Sequence, residues 1–173
     1  MKNIQKINNL SQLDIFTQKL IKHLHIGDII VLSGPLGVGK TAFTKSLAKA
    51  LGIEKMVVSP TFTLERIYKI PGKLKGKSKE TFLVHIDAYR LSGNSSPNGA
   101  AGHLLYDQLQ SLDIDSFLNN SLVVIEWGEL VENLLNSQEL TKNIIHINIS
   151  FATDDLSNSL RIFEIFGLDC YEI

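Results

Sequence analysis

The sequence predicts an α/β domain built on a mixed central sheet and closed by a C-terminal antiparallel hairpin. Three observations carry that reading. A short apolar run, Asp28-Ile29-Ile30-Val31-Leu32, leads through a glycine-rich loop into a segment where Phe43, Leu47 and Leu51 recur every fourth residue, a strand followed by a helix with one apolar face. Leu122-Val123-Val124-Ile125 is a continuous apolar run, suited to a strand buried on both faces. Ile145, Ile147, Ile149 and Phe151 alternate with His146, Asn148 and Ser150, the period of a half-buried strand. Together these give a mixed sheet rather than a fully parallel one.

The elements follow in order. Ser11 with Asp14 resembles a capping box, and Leu13, Phe16, Leu20, Ile21 and Leu24 then mark one face of a first helix. After the strand at 28–32 and its helix, Gly52 sits where a helix cap belongs. Residues 57–64 begin strand-like and are interrupted by Pro60. Residues 65–70 and 81–86 read as a hairpin around a turn-rich basic loop at 71–79. A polar loop at 92–99 precedes expected helices at 104–112 and 114–118, and a further helix is expected at 129–135. Residues 152–158 are a polar turn, after which Leu160, Ile162 and Phe166 continue a partner strand. No repeat interrupts the 173 residues, which read as one domain spanning 1–173.

Composition narrows the function classes. A net charge of −1 gives no global attraction to nucleic acid or membrane, so any RNA contact is local. Cys170 is the only cysteine, which excludes an internal disulfide and a cysteine metal cluster. The N-terminus lacks the apolar core of a signal peptide, and no apolar run is long enough to span a bilayer. A soluble cytoplasmic protein is expected. The five histidines (His23, His25, His85, His103 and His146) show no ligand pairing and read as surface or satisfied core residues.

The loop between the first strand and its helix is Gly34-Pro35-Leu36-Gly37-Val38-Gly39-Lys40-Thr41, which fits G-x-x-x-x-G-K-[ST]. Strand, loop and helix are the context this phosphate-cradling motif requires. Its glycines let backbone N–H groups turn inward as an anion nest, and the helix N-terminus adds partial positive charge. Lys40 is expected to reach the β- and γ-phosphates, and Thr41 to ligate Mg²⁺. A carboxylate near that cation is expected at the end of a neighbouring strand. Asp87 follows the run 82–86 and Glu126 follows 122–125, so both are candidates and their roles are not divided. Hydroxyls in Ser59-Pro60-Thr61-Phe62-Thr63 either bond local backbone or reach the γ-phosphate as a switch. Trp127 follows Glu126, and strand alternation points it away from the side Glu126 faces, as a packing residue or a partner contact.

The nucleotide is expected to be ATP. The chain lacks the N/T-K-x-D tetrad of guanine readers, and Asp87 is followed by Ala88-Tyr89-Arg90 rather than by a D-x-x-G switch. Arg66, Arg90 and Arg161 are the only arginines, thin material for a small-molecule kinase that clamps phosphates and acceptors. A small ATP hydrolase that switches a partner fits better. A kinase and an ATP-gated adaptor without catalysis are the alternatives.

Four blocks in order are specific: Gly-Pro-Leu-Gly-Val-Gly-Lys-Thr at 34–41, Ser-Pro-Thr-Phe-Thr-Leu at 59–64, His-Ile-Asp-Ala-Tyr-Arg-Leu at 85–91, and Val-Ile-Glu-Trp at 124–127. Over nearly its whole length the chain resembles the TsaE (YjeE) family, bacterial P-loop ATPases of tRNA threonylcarbamoyladenosine synthesis. The resemblance implies a P-loop NTPase-like sandwich that binds ATP and Mg²⁺, hydrolyses ATP slowly alone, and acts with a TsaB–TsaD heterodimer. The modified base would be the adenosine beside the anticodon. The resemblance also implies that Thr41 and Glu126 bind Mg²⁺ and that Asp87 lies at the phosphate and metal site. Lys40, Asp87 and Glu126 are then the catalytic set, Thr61 and Thr63 fall in the switch-like segment, and Trp127 lies near the nucleotide or the partner face. The chain departs from the family at 92–102, which is longer, Gly/Ser/Asn-rich and poor in acid. The basic loop at 69–79 reads as a solvated turn, with a weak or indirect tRNA contact as its alternative.

Overall fold

The computed structural model of the chain describes residues 2–60, 65–71, 80–89, 119–130, 143–153 and 159–168. Within them lie strands β1 (Lys2–Ile7), β2 (Ile29–Ser33), β3 (Glu65–Ile70), β4 (Thr81–Asp87), β5 (Ser121–Glu126), β6 (Ile144–Phe151) and β7 (Arg161–Phe166), with helices α1 (Leu10–Leu20) and α2 (Lys40–Ala50). The strands form one sheet in the order β1-β7-β6-β2-β5-β4-β3. β2 runs parallel to both β5 and β6, and β4 runs parallel to β5. β3 is antiparallel to β4, β7 to β6, and β1 to β7. The sheet is therefore mixed: a parallel centre with antiparallel flanks, as the sequence predicts. Both expected hairpins, β3–β4 and β6–β7, are present.

Every residue of β5 is buried, as its unbroken apolar run requires. In β6 the buried residues are Ile145, Ile147 and Ile149. β7 starts at Arg161, and its buried side chains are Phe163 and Ile165. α1 and α2 cover the face made by these residues together with Ile30, Leu32, Leu122 and Val124. Phe16 of α1, Phe43 of α2 and Phe163 of β7 meet with ring centroids 5.7–6.3 Å apart, within the range where tilted rings attract. Phe43 is fully buried at their centre, and its truncation to Ala is expected to cost about 3–5 kcal/mol.

The first helix begins earlier than the Ser11–Asp14 pattern indicates. Asn9 is the N-cap, its Oδ1 accepting from the Gln12 amide at 2.9 Å, while the Gln12 side chain accepts from the Asn8 amide at 2.8 Å. Asp14 is left free to bond α2. The second helix stops where expected. Gly52 has φ 79°, its amide reaches Lys49 O and the next amide, of Ile53, reaches Ala48 O, so the last carbonyls are satisfied by a Schellman turn.

Other expectations meet differences. β1 is not visible as a strand in the sequence, yet it forms the sheet edge beside β7. Residues 57–60 join no strand; Val57 is buried and the Val58 amide donates to the Tyr68 hydroxyl at 3.3 Å. After β5, Gly128–Leu130 forms a single 3₁₀ turn. The expected helices at 104–112 and 114–118, most of that at 129–135, the loops at 72–79 and 92–102, and Thr61 and Thr63 lie outside the described residues. Among the described residues no helix is long and apolar enough to cross a membrane.

Candidate nucleotide site

The C-terminal ends of β2, β4 and β5 lie side by side, and the glycine-rich loop leaves β2 there. Gly34 opens the loop with φ 135°, and a Cβ built on it would stand 2.2 Å from the Ile149 carbonyl oxygen, so only glycine fits against β6. The loop then feeds straight into α2, with Gly39 as the helix N-cap. The residues of the motif therefore surround a helix N-terminus whose first amides have no helical partner.

Lys40 starts the helix and turns back under the loop. Its Nζ donates to Gly34 O at 2.6 Å and Pro35 O at 3.0 Å, and stands 3.5 Å from the centroid of the Trp127 ring. Burial holds its pKa below the usual lysine range, against the attraction of Glu129, Glu126 and Asp87. Thr41 Oγ1 donates to Glu126 Oε2 at 2.8 Å. Asp87 pairs in register with Glu126 across β4 and β5, so the two acids are neighbours. Asp87 Oδ2 accepts from Ser59 Oγ at 2.8 Å and Oδ1 from the Tyr89 amide at 3.0 Å.

These groups line one cleft of about 320 Å³, bordered by Leu36, Gly37 and Gly39 on the loop side and by Ser59, Tyr89 and Trp127 opposite. Lys40, Thr41, Asp87, Glu126 and Trp127, picked out by pattern at positions up to 87 residues apart along the chain, are thus brought together. A second cleft of about 260 Å³ backs onto the same loop. It shares Gly37, Gly39 and Ala42 with the first and is otherwise largely apolar, lined by Ile7, Leu10 and Phe163 among others.

Trp127 corrects one expectation. Alternation along β5 would send it away from Glu126, but Trp127 has φ 60°, the left-handed region, and so faces the same cleft. That conformation costs about 1–2 kcal/mol for a residue with a Cβ. Its ring is held there between Lys40 and Tyr89, whose ring centroid lies 5.0 Å away. Two further site residues escape the pattern reading. Tyr89 and Ser59 both touch Asp87; the sequence marks their blocks, 85–91 and 59–64, but gives neither residue a part at this acid. His85 is the third: it is not a bland core histidine, because Nε2 donates to Glu126 Oε1 at 2.7 Å.

The oxygen donors lining the cleft are the hydroxyls of Thr41 and Ser59 and the carboxylates of Asp87 and Glu126. That chemistry fits Mg²⁺, which binds few protein oxygens and takes the rest of its shell from water and phosphate.

A family model described as "Threonylcarbamoyl adenosine biosynthesis protein TsaE" matches residues 7–158. The chain belongs to the TsaE family. The "tRNA threonylcarbamoyladenosine biosynthesis protein TsaE" of Streptomyces coelicolor is 36% identical over 151 residues, covering 87% of each chain. The TsaE of Mycobacterium tuberculosis is 36% identical over 138 residues, 78% of this chain and 76% of that one. The crystal structure of Bacillus subtilis YdiB superposes with a TM-score of 0.64 at 23% identity, covering 97% of this chain and 86% of that one, which establishes the shared fold. The TsaE family is described by its part in threonylcarbamoyladenosine biosynthesis, and the names of these relatives place that nucleoside in tRNA.

Proposed function

We propose that the chain is an ATP-binding, slowly ATP-hydrolysing accessory protein for threonylcarbamoyladenosine modification of tRNA, at the adenosine beside the anticodon. Its partner is a TsaB–TsaD heterodimer. The observation that carries the nucleotide half of this reading is the convergence of Lys40, Thr41, Asp87 and Glu126 on one cleft at the N-terminus of α2. Family membership carries the tRNA half.

The residues divide the work by chemistry. Backbone amides of the loop and the first turn of α2 bind the phosphates. Lys40, now held by two loop carbonyls, exchanges them for phosphate oxygens and neutralises charge there. Thr41 and Glu126 hold Mg²⁺, which supplies charge neutralisation at the phosphates when bound. Asp87, anchored by Ser59 and the Tyr89 amide, orients water at the cleft. The adenine lies in the second cleft, which continues from the first across Gly37 and Gly39 and offers an apolar lining. No arginine among the described residues lines the phosphate cleft, so an acceptor clamp of the kind a kinase uses has no support there.

The test is a tRNA modification assay rebuilt from purified TsaB, TsaD and this chain. Modification is expected with the native chain and not with Lys40→Ala, and ATP hydrolysis is expected to rise when TsaB–TsaD is added. Hydrolysis indifferent to that pair, or modification undiminished by Lys40→Ala, would sink the proposal. Product phosphorylation that tracks an added small acceptor would replace it with a kinase.

A further inference from the structure

His85 has no role in the chemistry just described, yet it forms the floor beneath it. It lies in β4, wholly buried, on the sheet face that also carries the apolar Leu83, Leu122 and Val124. The β4–β5 register pairs His85 with Val124 and Asp87 with Glu126, so all four residues project from one face of the sheet. Nε2 is used on Glu126, while Nδ1 is buried with no hydrogen-bond partner.

An unpaired buried nitrogen is unfavourable, and a leucine at this position would remove it. Packing therefore does not account for an imidazole here; its contact with Glu126 does. That carboxylate is held at both ends, Oε1 by His85 and Oε2 by Thr41. Without His85, Oε1 would keep only the Thr44 hydroxyl at 3.5 Å, too long to fix its plane.

We propose that His85 is the positioning residue of the phosphate cleft, its Nε2–H fixing the Glu126 carboxylate so that Oε2 is presented to Thr41 and to the cation they share. The proposal rests on the ATP–Mg²⁺ reading of the site. Groups that orient a metal ligand from behind typically change metal affinity by about 10–100-fold when removed. A purely structural pair would instead show itself as lost stability with unchanged cation dependence.

Calorimetric titration of ATP at graded Mg²⁺, together with thermal melting, separates the two. In His85→Gln the amide nitrogen takes the place of Nε2, and the Mg²⁺ concentration for half-saturation stays near the native value. In His85→Leu it rises about tenfold or more, while affinity for ATP without Mg²⁺ is unchanged; the melting temperature falls as well, because buried Glu126 Oε1 loses its close donor. A His85→Leu chain with native Mg²⁺ dependence overturns the proposal, as does one that only melts earlier. If His85→Leu does not fold, His85→Asn replaces it, since its shorter amide reaches only the Nδ1 position; equal Mg²⁺ dependence in the Gln and Asn variants overturns the proposal. A native chain that shows no Mg²⁺-dependent ATP binding defeats the ATP reading itself, and this inference with it.

Discussion

The two ends of α2 carry polar clusters of opposite character. Toward its C-terminus, Ser46 and Lys49 face α1. Ser46 Oγ donates to Asp14 Oδ1 at 2.7 Å and lies 2.8 Å from Thr17 Oγ1, and Lys49 Nζ reaches Asp14 Oδ2 at 2.6 Å. Donors and acceptors match, and the hydrogen bonds from Lys49 and Ser46 hold the Asp14 carboxyl below the usual carboxylate range. Toward its N-terminus, Lys40 is buried against its charge, His85 has a nitrogen without a partner, and Trp127 is left-handed. The first cluster agrees with its surroundings at every point. The second departs from them at three, and such departures mark groups kept for something other than the stability of the fold.

If that contrast is right, substituting Lys40 or Thr41, which line the cleft itself, should remove activity and spare stability. Lys40→Ala is the largest expected effect. It should lower ATP hydrolysis by at least about 100-fold, the scale of losing one preorganised group that meets developing charge. Because folding lowers the Lys40 pKa, the ammonium is disfavoured in the folded state at neutral pH, and its removal should leave the melting temperature unchanged or raised. A drop of several degrees would break the comparison.

A matched pair sharpens it. Thr41→Val and Thr17→Val make the same chemical change at the two clusters. Thr41→Val should reduce hydrolysis by about 10–100-fold through the lost cation ligand, with little change in melting. Thr17→Val removes a buried hydroxyl that bonds Asp14 O at 3.1 Å and touches Ser46. It should cost about 1 kcal/mol, or about 2–4 °C for a chain of this size, with hydrolysis unchanged at 25 °C. The two results exchanged would mean that the clusters have been misassigned.

What the sequence reveals of this arrangement, and what it hides, follows the same division. Local pattern is legible. The strand–loop–helix of the phosphate motif, the buried run of β5, the β3–β4 hairpin and the alternation of β6 all appear where their periodicities put them. β1 is hidden because its pattern is inverted: Ile4 is half exposed while Asn3 and Gln5 point inward, so the one mid-strand apolar residue faces solvent. The start of α1 is hidden because Asn8 and Asn9 offer a better cap than Ser11, and Asp14 is claimed by a helix far along the chain. The acids Asp87 and Glu126 are legible as strand-end carboxylates, although only tertiary structure makes them neighbours. His85 and Trp127 are not legible in their true settings. One depends on a partner 41 residues away, and the other on a positive φ that no residue type announces.

The smallest effect concerns pH, and it tests whether the C-terminal cluster is stabilised by charge. Because folding depresses the Asp14 pKa below its ordinary 3.8, the ionised carboxylate favours the folded state. The stabilisation is fully present above the unfolded value and is lost as pH falls through the lower folded one. Asp14→Asn should therefore melt earlier than the native chain by a constant margin above about pH 5, and the margin should close below about pH 4. The side chain is 29% exposed, so that margin stays under about 1 kcal/mol. It should also shrink in 1 M salt, where the screening length falls to about 3 Å. ATP hydrolysis at neutral pH should not change, since Asp14 contacts α2 one to two turns beyond the cleft, at Ser46 and Lys49. A margin that persisted to low pH, where both side chains are uncharged, would assign the difference to a contact that asparagine does not reproduce, since its oxygen can still accept from Ser46, and remove charge from the account of this end of α2.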